Sequence, residues 1–279
     1  MLEYLFDVIR ERGYDEKYID RYKMMARFHL LRTPLLVLIG GTACVGKSTL
    51  ATLLAERMNL PTVVQTDLIF EMMHRLHKVK QADVAGAEDG AAGEPTLCPS
   101  RGAPDVDIAD TIFFREFASD SDFFHAYEEQ SRMIRSGVEY DLRKCFVDGK
   151  SLILEGVHID PGLYLSTDDV RRLQSAENEE PMPRGVIVAF IPTLDKGDQT
   201  HMMEHWLSGP QKDKLREVPD IRVRMLKNID RLQQRMLELA PSGAVNVVPV
   251  NVVALEETLD NMHAIVLDKL EEAYKEGLF

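Results

Sequence analysis

Positive charge is in short supply in this 279-residue chain: 33 lysines and arginines stand against 46 aspartates and glutamates, a net charge of −13. An acidic exterior repels a polyphosphate backbone, so no nucleic-acid partner is expected, whereas a small anion can still be held in a local cationic pocket. Cysteine is scarce as well. Cys44, Cys98 and Cys145 are too few and too scattered for a disulfide framework or a zinc cage, which fits a reducing compartment. Long apolar runs are missing: Leu35 to Ile39 and Val186 to Ile191 fall far short of the roughly 18 residues a membrane span needs, so no membrane association is expected. The start, Met1-Leu2-Glu3-Tyr4-Leu5-Phe6-Asp7, carries acids early and lacks the basic opening of a signal peptide. A cytoplasmic location is the expectation. What the composition does hold, 45% hydrophobic residues, suffices for the core of one large or two small domains.

Residues 41 to 48, Gly41-Thr42-Ala43-Cys44-Val45-Gly46-Lys47-Ser48, carry the spacing G-x-x-x-x-G-K-[ST], with Thr49 following. The flanks supply the context this motif needs. Leu35 to Ile39 reads as a short apolar strand, and Leu50, Leu53, Leu54 and Met58 then recur at helical spacing. Between a strand and a helix, such a loop turns its N–H groups inward around a polyphosphate, Lys47 reaches the outer phosphates and the Ser48 hydroxyl ligates Mg²⁺. Residues 41 to 49 are therefore the expected nucleotide-binding set, with ATP and Mg²⁺ as the implied cofactors.

The rest of the chain alternates strands with helices. Residues 2 to 31 read as two helices broken at Gly13, with Leu5, Val8 and Ile9 on one face and Ile19, Tyr22, Met25 and Phe28 or His29 on another. Further strands are expected at Thr62 to Gln65, Ser151 to Gly156, Val186 to Ile191 and Val245 to Val253, the last at a sheet edge because of Pro249. Helices are expected at Ile69 to Lys78, Asp122 to Phe146 and Val218 to Leu239, while residues 80 to 107, without periodicity, read as a loop or insertion. The alternation implies a P-loop α/β fold of three layers, α/β/α, around a mainly parallel five-stranded sheet, with an N-terminal helical extension over 1–33 and a kinase-like domain over 34–279. Residues 195 to 217, with a turn at Leu207-Ser208-Gly209-Pro210, are the expected helical lid.

Parallel sheets place ligands beyond the carboxyl ends of their strands. That rule brings Lys47, Asp67 and Glu155 together: Lys47 as phosphate ligand, Asp67 as the group handling an attacking hydroxyl, Glu155 as a metal ligand beside Ser48. Phosphoryl transfer needs further cations, for which Arg132 and Arg135 before the third strand are candidates, Arg132 being assigned the catalytic role. Lys212, Lys214, Arg216, Arg222 and Arg224 form a second cluster after the fourth strand. His201-Met202-Met203-Glu204-His205 matches a zinc-peptidase pattern, but no third ligand is identifiable, so two solvent-facing histidines are expected there and likewise at His74 and His77. Cys44, beside Lys47 and a helix N-terminus where a thiolate would be stabilised, reads either as a small residue filling the loop or as an oxidant-sensitive thiol that ATP covers.

Together these stretches resemble the 2-phosphoglycerate kinases, a P-loop family related to nucleoside-monophosphate and zeta-toxin-type kinases. The resemblance runs through Leu36 to Thr49, Gln65-Thr66-Asp67-Leu68-Ile69-Phe70-Glu71 and Leu154-Glu155-Gly156-Val157-His158-Ile159-Asp160-Pro161-Gly162, with weaker similarity at Asp20-Arg21-Tyr22 and Val248-Pro249-Val250-Asn251. It implies transfer of the ATP γ-phosphate to the 3-hydroxyl of 2-phosphoglycerate, a small anionic phosphorylated substrate. Eukaryotic relatives linked to inositol phosphate and phytate metabolism keep the acceptor open, and the oligomeric state is open too. The segment Met203 to Gly209 lacks arginine where the resemblance implies lid arginines, and Asp230 stands where a base is implied. A nucleotide-binding regulator without catalysis is therefore the alternative from another class. The resemblance further implies that residues 1–33 leave no room for the additional N-terminal module of archaeal members.

Overall fold

The computed structural model describes residues 2–73, 111–166, 184–209, 213–239 and 243–279. The expectations for residues 80 to 107, His74, His77 and Lys212 lie outside the described residues, as does the side chain of Lys214. In chain order the elements are α1 (Leu2–Glu11), α2 (Glu16–Leu31), β1 (Leu35–Gly40), α3 (Lys47–Met58), β2 (Val63–Gln65), α4 (described over 66–73), α5 (Asp120–Gly137), α6 (Glu139–Asp148), β3 (Leu152–Gly156) and α7 (Pro161–Tyr164). They continue with β4 (Val186–Thr193), α8 (Lys196–Leu207), α9 (Asp213–Arg216), α10 (Ile221–Leu239), β5 (Val245–Pro249) and α11 (Leu255–Lys275).

All five strands are parallel and ordered β2-β3-β1-β4-β5. Every residue of β1 and of β3 is buried, the pattern of strands covered on both faces. Alternation along the strand sorts them. Leu36, Leu38, Leu152 and Leu154 join the layer of α5, α6, α8 and α10, whereas Leu35, Val37, Ile39 and Ile153 face α2, α3 and α11. This is the three-layer α/β/α architecture expected from the sequence. Pro249 closes β5 at the edge, where a residue without an N–H is tolerated.

Three expectations are corrected. The long helix read over Asp122 to Phe146 begins earlier, at Asp120, because Ser119 accepts a hydrogen bond from the Asp122 N–H as its cap. It also breaks at buried Val138, just after Gly137, where a Cβ would stand 2.7 Å from Met73 Sδ of α4. The inward face of α2 is Ile19, Met24 and Phe28, while Tyr22 is 42% exposed, and α1 buries no residue. Helix α10 starts at Ile221 rather than Val218, following Asp220 in the left-handed conformation.

Candidate functional site

Strand β1 delivers the chain, fully buried, to Gly40, and the loop beyond it returns into α3 at Lys47. Gly46 occupies the position before that helix at φ 79°, a left-handed conformation that glycine adopts without a Cβ clash. No side chain caps α3, so its first N–H groups face the loop, an arrangement suited to an anion. Lys47 is 6% exposed, and its Nζ donates to the Thr42 carbonyl at 2.6 Å. Burial lowers the pKa of its amine, opposed by the neighbouring charges of Asp67 and Glu155. On its other side Thr42 is held by α8, through Gln199 Nε2 donating to Thr42 Oγ1 at 2.9 Å with both residues buried.

The parallel register sets Glu155 beside Ile39 on one side and Gln65 on the other, so the ends of β1, β2 and β3 share one edge. Ser48 Oγ donates to Glu155 Oε1 at 2.7 Å, and Glu155 Oε2 is buried with no partner. Burial raises the Glu155 carboxyl above its usual range, and the Ser48 bond pulls it back. Gly156 follows at φ 149° and lies against the fully buried Thr66, the first residue of α4, whose Oγ1 also lacks a partner. Asp67 is the next residue of that helix, and its side chain is 58% exposed.

His158 completes this edge. Its ring is buried, stacks on Phe70 at 5.0 Å and 20°, and places Nε2 3.3 Å from Gln130 Oε1 and Nδ1 3.8 Å from Asp67 Oδ1. Burial holds its pKa down to about 4, with Asp67 opposing and Lys47 reinforcing the shift, so the imidazole is neutral at physiological pH. The unfolded chain takes up this proton from its ordinary value of 6.5 downward, whereas the folded protein resists until about 4. Stability is therefore expected to fall as pH drops from 6.5 and to level off near 4, opposed at the acid end by Glu155, which the fold protonates more readily than the unfolded chain does. Urea unfolding across that window should show a flatter acid limb for His158→Gln; an unchanged limb would assign the loss to other groups.

The structure thus brings together Lys47, Ser48, Asp67 and Glu155, and it does not bring Arg132 to them. Arg132 is 61% exposed and pairs with Glu128 one turn back on α5, while Arg135 is the arginine that this helix carries inward, 4% exposed. Among the second cluster, Arg224 donates to the Phe114 carbonyl at 3.2 Å, and buried Asn228 donates to the carbonyls of Ile112, Phe113 and Arg115, so α10 holds the segment that enters α5. Helix α8 buries Met203 and Leu207 and leaves His201 and His205 exposed; no metal-holding cluster of three or more His, Cys, Asp or Glu occurs among the described residues. Cys44 is also corrected: burial raises its pKa, outweighing Lys47, so the thiol is favoured. Sequence reasoning assigned no role to His158 or Gln199. The first was open to discovery, lying three residues past Glu155 at a strand end; the second carries no local signal.

No protein-family model matches the chain. Sequence similarity reaches a 2-phosphoglycerate kinase of Methanocaldococcus jannaschii, 27% identical over 268 residues, which cover 96% of this chain and 74% of that protein. A 2-phosphoglycerate kinase of Pyrococcus furiosus is 30% identical over 155 residues, 54% of this chain and 44% of that protein. The Thermococcus kodakarensis 2-phosphoglycerate kinase is 23% identical over 97% of this chain and 79% of its own length. The resemblance read from the motifs is borne out by these relatives.

Proposed function

We propose that this chain is an ATP- and Mg²⁺-dependent phosphotransferase acting on a hydroxyl of a small phosphorylated metabolite, with 2-phosphoglycerate as acceptor and 2,3-bisphosphoglycerate as product. The observation that carries the reaction class is the Ser48–Glu155 hydrogen bond with the second Glu155 oxygen unsatisfied, directly beside a buried lysine in a phosphate-type loop. The acceptor's identity rests on the names of the archaeal relatives.

Hydroxyl and carboxylate oxygens are the donors that a hard divalent cation takes, so Ser48 and Glu155 fit Mg²⁺ and would hold it here. The metal, when bound, neutralises charge on the phosphate oxygens. The loop N–H groups and the first turn of α3 hold the outer phosphates, and Lys47 exchanges the Thr42 carbonyl for a phosphate oxygen. Asp67, solvent-facing in the first turn of α4, orients the acceptor hydroxyl and takes its proton as the new O–P bond forms and the β,γ-bridging bond breaks. His158, neutral and wedged between Phe70 and Gln130, fixes the inner wall against which Asp67 stands.

Purified protein with MgATP should consume ATP on addition of 2-phosphoglycerate and yield a bisphosphorylated product by mass. A panel of 3-phosphoglycerate, inositol phosphates and nucleoside monophosphates tests the acceptor. Turnover with an inositol phosphate alone would replace 2-phosphoglycerate, and ATP binding without transfer to any acceptor would replace the enzyme reading with that of a nucleotide-binding regulator.

A further inference from the structure

We infer that Arg135 and Tyr164 form the subsite that holds the anionic group of the acceptor, a carboxylate or a phosphate. This rests on the kinase reading for the hydroxyl end of that molecule. Eight buried side-chain nitrogen or oxygen atoms among the described residues have no hydrogen-bond partner, and six of them, all but Ser131 Oγ and Gln233 Oε1, fall in two groups. Thr66 Oγ1, Glu155 Oε2 and His158 Nδ1 lie at the strand ends, and Arg135 Nε, Arg135 Nη2 and Tyr164 OH lie where α5 packs on α7. A buried polar atom without a partner is destabilising, so a cluster of them is a place where a ligand can complete the bonding.

The two clusters want opposite things. Glu155 Oε2 presents lone pairs that call for a cation or a hydroxyl proton. Arg135 and Tyr164 present donors that call for anionic oxygens. Nε and Nη2 are the two parallel N–H groups along one edge of the guanidinium, the edge that engages two oxygens of a carboxylate or phosphate at once. The opposite corner, Nη1, is occupied by Glu139, and the Tyr164 ring lies 5.4 Å from the guanidinium carbon. Glu139 thus pairs with the buried guanidinium while its bidentate edge stays open for bonding.

Gln130 of α5 touches His158, and Arg135 follows five residues later on the same helix, a rise of about 7.5 Å along its axis. Gly137 brings Met73 of α4 against α5, so the helix that begins at Thr66-Asp67 lies alongside the one that carries Arg135.

Calorimetric titration of the full chain with inorganic phosphate and with 2-phosphoglycerate, without ATP, tests the assignment. Relative to wild type, Arg135→Gln should weaken both by at least about 30-fold, Arg135→Lys by about tenfold through loss of the fork, and Tyr164→Phe by about fivefold, with MgATP affinity held within about twofold. Tyr164→Phe removes one hydroxyl and keeps the ring, so it gives a reading even where the arginine variants do not fold. In turnover the same variants should raise the acceptor KM and leave that for ATP in place. Wild-type protein that binds neither anion, or variants that bind both as wild type does, would overturn the subsite. Anion binding that falls in the variants while no acceptor is phosphorylated would keep the subsite and sink the kinase reading; turnover with an unchanged acceptor KM in Arg135→Gln would do the reverse.

Discussion

Lys47→Ala is expected to lower phosphoryl transfer on the order of 10³-fold or more while the protein stays folded. The amine is the buried cation between Asp67 and Glu155, and no other lysine or arginine occurs among the loop residues 41 to 49. Its removal leaves two carboxylates at the strand ends without their counter-charge and leaves the γ-phosphate without a ligand that follows it into the transition state. The helix that follows is anchored by Leu50, Ala51, Leu54 and Met58, which the substitution does not touch, so the melting temperature should move by only a few degrees. Lys47→Met, which restores the stem's volume, separates packing from charge. Single-turnover transfer from labelled ATP is the measurement; activity within tenfold of wild type in both variants would remove Lys47 from the reaction.

Gly156→Ala is expected to damage stability and activity together, by about 2–4 kcal/mol for the fold. A Cβ at this position would overlap Thr66 Oγ1, meet Thr66 Cβ at 3.0 Å and stand 3.4 Å from Asp67 Oδ1. The backbone at φ 149° adds strain of its own for any residue with a side chain. Thr66 cannot yield cheaply, since it is fully buried and opens the helix that carries Asp67. The alanine therefore pushes α4 off the strand edge where Glu155 stands. Adding Thr66→Gly to the same chain removes the overlapping atoms and should return part of the lost stability, as read by chemical denaturation. A single variant as stable as wild type would show that this contact does not hold α4 in place.

The sheet was legible in the sequence because its central strands are short, uninterrupted runs of Leu, Ile and Val, and because the loop after the first of them has a spacing that chemistry rarely uses otherwise. Pro249 even marked the edge. What stayed hidden depends on contacts between distant residues. Arg132 and Arg135 sit three positions apart, within the same apolar-patterned helix, and only the packing of α7 beneath α5 decides which one is taken in. Gly137, just before the break at Val138, is a local signal, but its close contact with Met73, 64 positions away, is not. Gln199 and Thr42 are separated by 157 positions, and Gln199 looks like any polar residue in a first helical turn. For Cys44 the neighbouring lysine was visible but the extent of burial was not, and burial sets the sign.

The sheet order has a consequence for how the molecule breathes. The strand that roots the phosphate loop is the middle one of five, whereas β2, three half-buried residues long, is an outer one. Amide protons of β2 and α4 should therefore exchange with solvent through partial openings that leave β1 and α3 intact. A nucleotide gripped by those two elements binds the partly opened molecule as well as the closed one, so by mass action it suppresses global unfolding and leaves this local opening untouched. On the proposed reading, the donor side would then stay loaded through many cycles in which the acceptor side comes undone and re-forms.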